Sequence, residues 1–130
     1  MRRERETMDF ESFVFQLMDT EAAVFGGAVI NNAGQVAYQT ENWDIRGDAQ
    51  QLLQILGGQN PGSLSIMKLK YMIVEFIPER IIATNVARKG HIIICPIEKG
   101  ALITYIDPAK GPRDALFNVQ QAALKLKGAL

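Results

Sequence analysis

A chain of 130 residues with 14 basic and 14 acidic side chains, zero formal net charge and 48% hydrophobic content is sized for one domain around one core. That balance excludes both a disordered polyelectrolyte and a broad nucleic-acid footprint. The single cysteine, Cys95, excludes an internal disulfide and, with no signal or transit segment opening the chain, points to the cytoplasm.

The opening MRRERET has three arginines and two glutamates and no apolar residue between Met1 and Met8. It reads as a flexible extension over residues 1–7, with the folded domain spanning 8–130. Phe10, Phe13, Val14 and Leu17 then fall at i, i+3, i+4 and i+7, the spacing of one helix face over 9–18, with Thr7 or Asp9 as cap. Residues 23–30 are almost wholly apolar, 32–34 form a turn and 36–40 resume as a second strand, so a hairpin is expected. Gly26-Gly27 lacks both the dinucleotide spacing and a following Lys-Ser/Thr, and is expected to admit close packing by a helix.

Asp44 or Asp48 is placed to cap a second helix whose Ile45, Ala49, Leu52, Leu53 and Leu56 share a face and which Gly57-Gly58 ends. Five strands are expected over 64–69, 71–77, 80–86, 91–97 and 101–106, and connections this short force antiparallel neighbours. Residues 64–80, LSIMKLKYMIVEFIPER, are interrupted by Lys68, Lys70 and Glu75 and so cannot cross a bilayer. The lack of clean alternation in 71–77 and 91–97 implies a central sheet covered by helices on both faces. Met67 and Met72 read as core filler. Gly111-Pro112 starts a last helix to about residue 127 with Leu116, Val119, Ala123 and Leu126 inward.

No catalytic constellation assembles. His91 and Cys95 face the same side of one strand but stand roughly 13 Å apart along it, too far for shared metal ligation. Cys95 reads as a packed small residue and His91 as a polar strand end. Asp107 and Asp114 are explained by turn formation and helix-dipole complementarity. The expectation is a chain with no catalytic residues, metal or cofactor.

The ordered set MDFESFV, GGAVINNAGQVAYQT, PGSL, LKYMIVEF, RKG and ALITYID, followed by a terminal helix, resembles profilin over nearly the whole chain from Met8, as a distant, archaeal-type member. The resemblance implies an α+β fold: a central antiparallel sheet with the N- and C-terminal helices on one face and a further helical segment on the other. It also implies a cytoplasmic, monomeric protein of the cytoskeleton that binds monomeric actin, suppresses spontaneous nucleation and alters nucleotide exchange on actin. By position in the family, the actin-binding candidates are Arg88, Lys89, Lys99, Arg113, Phe117 and Asn118.

Profilins also dock proline-rich segments on aromatic rings between the terminal helices. The matching candidates are Phe10 and Phe13, with Tyr38 or Trp43 compensating for Ala37, where the family has an aromatic residue. The loss of ring donors implies weak or altered polyproline binding. Phosphoinositide binding would rest on Arg88, Lys89 and the arginines of the N-terminal extension. The competing reading is a roadblock-type module that dimerises through the helix of residues 45–56 and regulates a small GTPase.

Overall fold

The computed structural model describes residues 9–41 and 43–130; the expected extension over 1–7 and the alternative cap Thr7 lie outside these. Helix α1 (Phe10–Thr20) begins where Asp9 accepts the Ser12 N–H on its carboxylate at 3.2 Å, the N-capping role its residue type favours. Strands β1 (Val24–Asn31) and β2 (Val36–Gln39) form the first hairpin. A 3-10 turn (Arg46–Asp48) leads into α2 (Ala49–Leu56), and strands β3 (Ser63–Ile66), β4 (Leu69–Ile77), β5 (Arg80–Thr84), β6 (His91–Ile97) and β7 (Gly100–Ile106) precede α3 (Pro112–Lys125). The seven strands form one antiparallel sheet in the order β2-β1-β7-β6-β5-β4-β3.

Each face of the sheet carries its own core. On one face, α2 presents Leu52 and Ile55 to Ile30, Ile66, Tyr71, Ile81, Ile92 and Ile94. On the other, Leu17 of α1 and Ala115, Val119 and Ala123 of α3 meet Val29, Ile82, Ile93, Cys95 and Leu102. The terminal helices therefore share a face and α2 covers the opposite one, which is why Ile92 through Cys95 are all buried and no polar residue interrupts them. The apolar side of α2 packs on the sheet, so the dimer face that a roadblock-type module would offer is absent from it.

Gly27 lets α1 approach: a Cβ there would stand 2.9 Å from Val14 Cγ1.

The structure revises several sequence boundaries. The first strand of the second half ends at Ile66, not 69, because Met67 and Lys68 occupy the left-handed region with φ of 52° and 70°. This two-residue connection follows the right-handed twist of the flanking strands, but neither residue is a glycine or asparagine that would announce it. Met67, in this turn, is exposed at 44% and Met72, on β4, at 40%, so neither is core filler. Asp48 makes no capping bond, while Asp44 accepts the Arg46 N–H at 3.0 Å and opens the 3-10 turn. Ile45 thus reaches the core before α2 begins. β5 stops at Thr84, leaving Val86 on an exposed turn.

Three bulges interrupt the sheet, one leaving Phe25 of β1 unpaired against β7 and two that redirect side chains in β2 and β4. In β2, Val36 pairs with Ile30 and Tyr38 with Val29, leaving Ala37 unpaired; in β4, Ile73 pairs with Ala83 and Glu75 with Ile82, leaving Val74 unpaired. Each extra residue reverses the faces of everything beyond it.

Candidate functional site

On the face shared by the terminal helices, α1 packs on β1 and β2, and α3 on β6 and β7. The sheet extends two strands beyond β5, and there Met72 of β4 is exposed on the α3 side of the sheet, since its neighbours Tyr71 and Ile73 pack into the opposite core. The bulge at Val74, itself 60% exposed, turns Glu75 to the same side, because its partner Ile82 belongs to the α3-side core.

Glu75 meets two guanidinium groups there. Arg80 Nε lies 2.7 Å from one carboxylate oxygen, and Arg113 Nη2 of α3 donates to the other. The Arg113 hydrogen bond, and then the charges of Arg113 and Arg80, hold the Glu75 carboxyl below its usual range against the opposing effect of burial.

Along α3, Arg113, Phe117, Gln120 and Leu124 follow one stripe at i, i+4, i+7 and i+11, opposite the core-facing Ala115, Val119 and Ala122. Phe117 and Leu124 are exposed at 70% and 65%. The lower end of this stripe borders a cleft of about 390 Å³ lined by Glu79, Cys95, Pro96, Ile97, Gln120 and Leu124. Cys95 is buried at its floor and its thiol is pushed up to about 12 by desolvation, which disfavours the thiolate and fits a packed residue. Exposed apolar side chains ringed by charges have the make-up of a protein-binding surface.

The basic turn is built by Asn85. Its side-chain oxygen accepts the N–H groups of Ala87 and Lys89 at 2.8 and 3.1 Å, while its amide donates to the Lys70 carbonyl at 2.8 Å. The Tyr105 hydroxyl donates to the Lys89 carbonyl at 2.7 Å. Gly90, at φ 117°, lies under that ring, where a Cβ would come within 2.4 Å of it. The Arg88 and Lys89 residues are exposed on this pinned backbone.

The six residues expected at the actin surface thus divide. Arg113 and Phe117 share the α3 stripe, and Arg88 and Lys89 sit at the start of β6. Lys99 occupies the turn at the other end of that seven-residue strand, about 20 Å away at the usual rise, where its carbonyl accepts the Asn32 N–H at 2.9 Å. Asn118 faces α1, and its amide donates to Glu21 at 2.8 Å. Sequence reasoning read Met72 as core filler and passed over Val74, Glu75 and Leu124. The placing of Val74 and Glu75 depends on the bulge, whereas Leu124 was legible as i+7 from Phe117.

A groove of about 110 Å³ between α1 and α3 is lined by Phe13, Gln16, Leu17, Thr20, Asn118, Gln121, Ala122 and Lys125. Phe10 and Phe13 are half-buried beside the core at this pair of helices. Tyr38 joins them on the α1 side of the sheet through the β2 bulge; burial first, then the Glu11 and Asp9 carboxylates, raise its phenol pKa. Trp43 is elsewhere. It lies in the α2-side core, its ring centroid 6.1 Å from that of Tyr105, so the four aromatics do not form one platform.

No family model matches the chain. The chain is 46% identical to Loki profilin-1 of Lokiarchaeum sp. (strain GC14_75) over 125 residues, covering 89% of this chain and 93% of that protein. The chain belongs to the profilin family. Two solved structures extend the likeness to three dimensions. The LokiProfilin1/rabbit actin complex matches with a TM-score of 0.88 at 44% identity, covering 95% of this chain and 99% of that profilin, and the LokiProfilin2/rabbit actin complex with 0.85 at 42%, covering 96% and 97%. The α+β architecture expected from the sequence is therefore the profilin fold, and the resemblance to an archaeal-type member holds. Among the described residues no helix is long and apolar enough to cross a membrane.

Proposed function

We propose that this profilin binds monomeric actin and regulates its polymerisation, suppressing spontaneous nucleation. The carrying observation is its close likeness, in sequence and in fold, to archaeal profilins solved in complex with rabbit actin. The contact face we assign is the α3 stripe with Arg113 and Phe117, the exposed β4 residues Met72 and Val74, and the basic turn of Arg88 and Lys89. Phe117 supplies an aromatic anchor and the arginines and Lys89 a charged rim. Lys99 and Asn118 belong to the periphery of this reading, the first at the far strand end and the second engaged with Glu21.

Actin would be affected through differential affinity for its conformations, which extends the reading to nucleotide exchange on actin without any chemical step on the profilin. The setting is cytoplasmic and cytoskeletal. Proline-rich segments would bind weakly on the face of the terminal helices, through Phe13 in the α1–α3 groove with Phe10 and Tyr38 beside α1. Phosphoinositide headgroups would find Arg88 and Lys89, while the arginines of the N-terminal extension lie outside the described residues.

The test is the polymerisation time course of labelled actin with increasing amounts of the protein. A dose-dependent lengthening of the lag, partly reversed by R88E/K89E, supports the reading. An unchanged time course with folded protein overturns it.

A further inference from the structure

The Val74 bulge has an electrostatic consequence that extends the proposed actin-binding role. With strict alternation along β4, Ile73 facing the α2-side core would put Val74 on the α3 side and return Glu75 to the α2-side core. That position would bury a carboxylate among isoleucines, which strongly disfavours its charged form. The extra residue instead delivers Glu75 to the α3 side, opposite Ile82. Its side chain retains only 16% exposure there, that of Arg80 24% and that of Arg113 62%. Glu75 and Arg80 thus form an inner pair within the sheet, and Arg113 reaches over from the first turn of α3 as an outer, solvent-facing partner.

One guanidinium carries five N–H donors, and Glu75 engages Arg113 through Nη2 alone. The rest of the Arg113 side chain is exposed, and exposed Phe117 stands one helical turn along. A long flexible side chain ordinarily loses rotamer freedom when it binds a partner. Here Glu75 has already fixed its direction, and the trio keeps one net positive charge.

We infer that Glu75 is a positioning residue for partner binding: it holds the Arg113 guanidinium so that its free edge meets a carboxylate on the actin surface. This inference rests on the proposed actin-binding role. Glu75 acts through Arg113 and does not itself contact the partner.

The test is a double-mutant cycle in the full-length protein, with actin-monomer affinity read by sedimentation with labelled actin at low and at physiological salt. E75Q keeps the side-chain shape and removes the charge, and R113A removes the guanidinium. The expectation is that E75Q weakens binding about threefold to tenfold, that R113A weakens it at least as much, and that the double variant is no worse than R113A alone. The E75Q loss should also shrink at higher salt, which a loss through disturbed packing would not do. Additive losses, or an E75Q effect that persists in the R113A background, overturn the inference. A wild-type protein that does not bind actin at all overturns the proposed function instead. Thermal unfolding of each variant separates misfolding from either outcome, and should E75Q fail to fold, R113K carries the test: a lysine reaching Glu75 without a second free edge should bind like R113A.

Discussion

The side-chain amide of Gln51 in α2 pairs with the backbone of Ser65 as a strand would: its oxygen accepts the Ser65 N–H at 2.9 Å and its nitrogen donates to the Ser65 carbonyl at 2.8 Å. Ser65 lies in β3, the strand at the edge of the sheet. Asp48 continues the pattern by accepting the Met67 N–H at 3.1 Å. Together they occupy backbone groups that would otherwise be a template for another strand.

Q51A should therefore lower stability by about 1 kcal/mol, because water replaces part of what is lost at this exposed site. It should also introduce concentration-dependent association visible by analytical ultracentrifugation. Q51E separates the two effects: it still accepts the Ser65 N–H but cannot donate, and it places a charge at the edge, so stability falls without association. A Q51A protein that sediments identically across concentrations would show that the edge is protected by other means.

A second expectation concerns the seat of α1. G27A would put a Cβ 2.9 Å from Val14 Cγ1, closer than packed carbons tolerate, and Val14 is wholly buried. Because a β-branched side chain in a helix has little rotamer freedom, the helix must shift. The expected cost is about 1–3 kcal/mol in urea unfolding. V14A in the same chain should recover part of it by vacating the space, and an additive double variant would indicate that the clash is absorbed elsewhere.

Sequence alone reached the layer order because its signals were periodic or punctuated. The spacing of Phe10, Phe13, Val14 and Leu17 marked α1, Gly111-Pro112 marked the start of α3, and the unbroken Ile92–Cys95 run required a sheet covered twice. What it missed were single-residue departures from period two. A bulge has no obligatory residue type unless it needs a glycine, so nothing in VAY or MIVEF announces that Ala37 and Val74 are unpaired. Yet those two residues determine that Tyr38 faces α1 and Glu75 faces α3. Met72 was misread for a different reason, since a methionine in an apolar strand reads as core until it is known that no helix covers it. Trp43 was assigned by nearness in sequence to Tyr38, whereas the chain turns at Thr40, which accepts the Trp43 N–H at 3.2 Å, and carries the indole to the opposite face.

The acid limb of stability should report the charged clusters. Arg46 holds the Asp44 carboxyl well below its ordinary value through side-chain and backbone hydrogen bonds, and Arg113 with Arg80 does the same for Glu75. For carboxyls depressed in the folded state, the stabilisation is present above the unfolded values of about 3.9 for Asp and 4.3 for Glu, and is lost as pH falls through the lower folded ones. Urea unfolding should thus be nearly constant above about pH 5 and weaken below it. E75Q should flatten that dependence, and an unchanged slope would mean that the Glu75 pairs do not persist in solution.

Trp43, the chain's single tryptophan, gives a direct check on where proline-rich segments bind. It is 8% exposed, and a Cβ on Gly26 would touch its ring at 3.5 Å, so the indole packs flat against β1 on the α2 side. W43A should cost about 3–5 kcal/mol, as truncation of a buried indole does. Y38A, altering a half-buried ring over α1, should cost less and weaken binding of a proline-rich peptide. Because the α1–α3 groove lies on the other face of the sheet from Trp43, saturating wild-type protein with such a peptide should leave tryptophan emission nearly unchanged even where calorimetry detects binding. A large emission change that survives in F13A, together with loss of peptide affinity by calorimetry in W43F, would place the peptide on the α2 side and transfer the proline-binding surface from the terminal helices to the Trp43–Tyr105 pair.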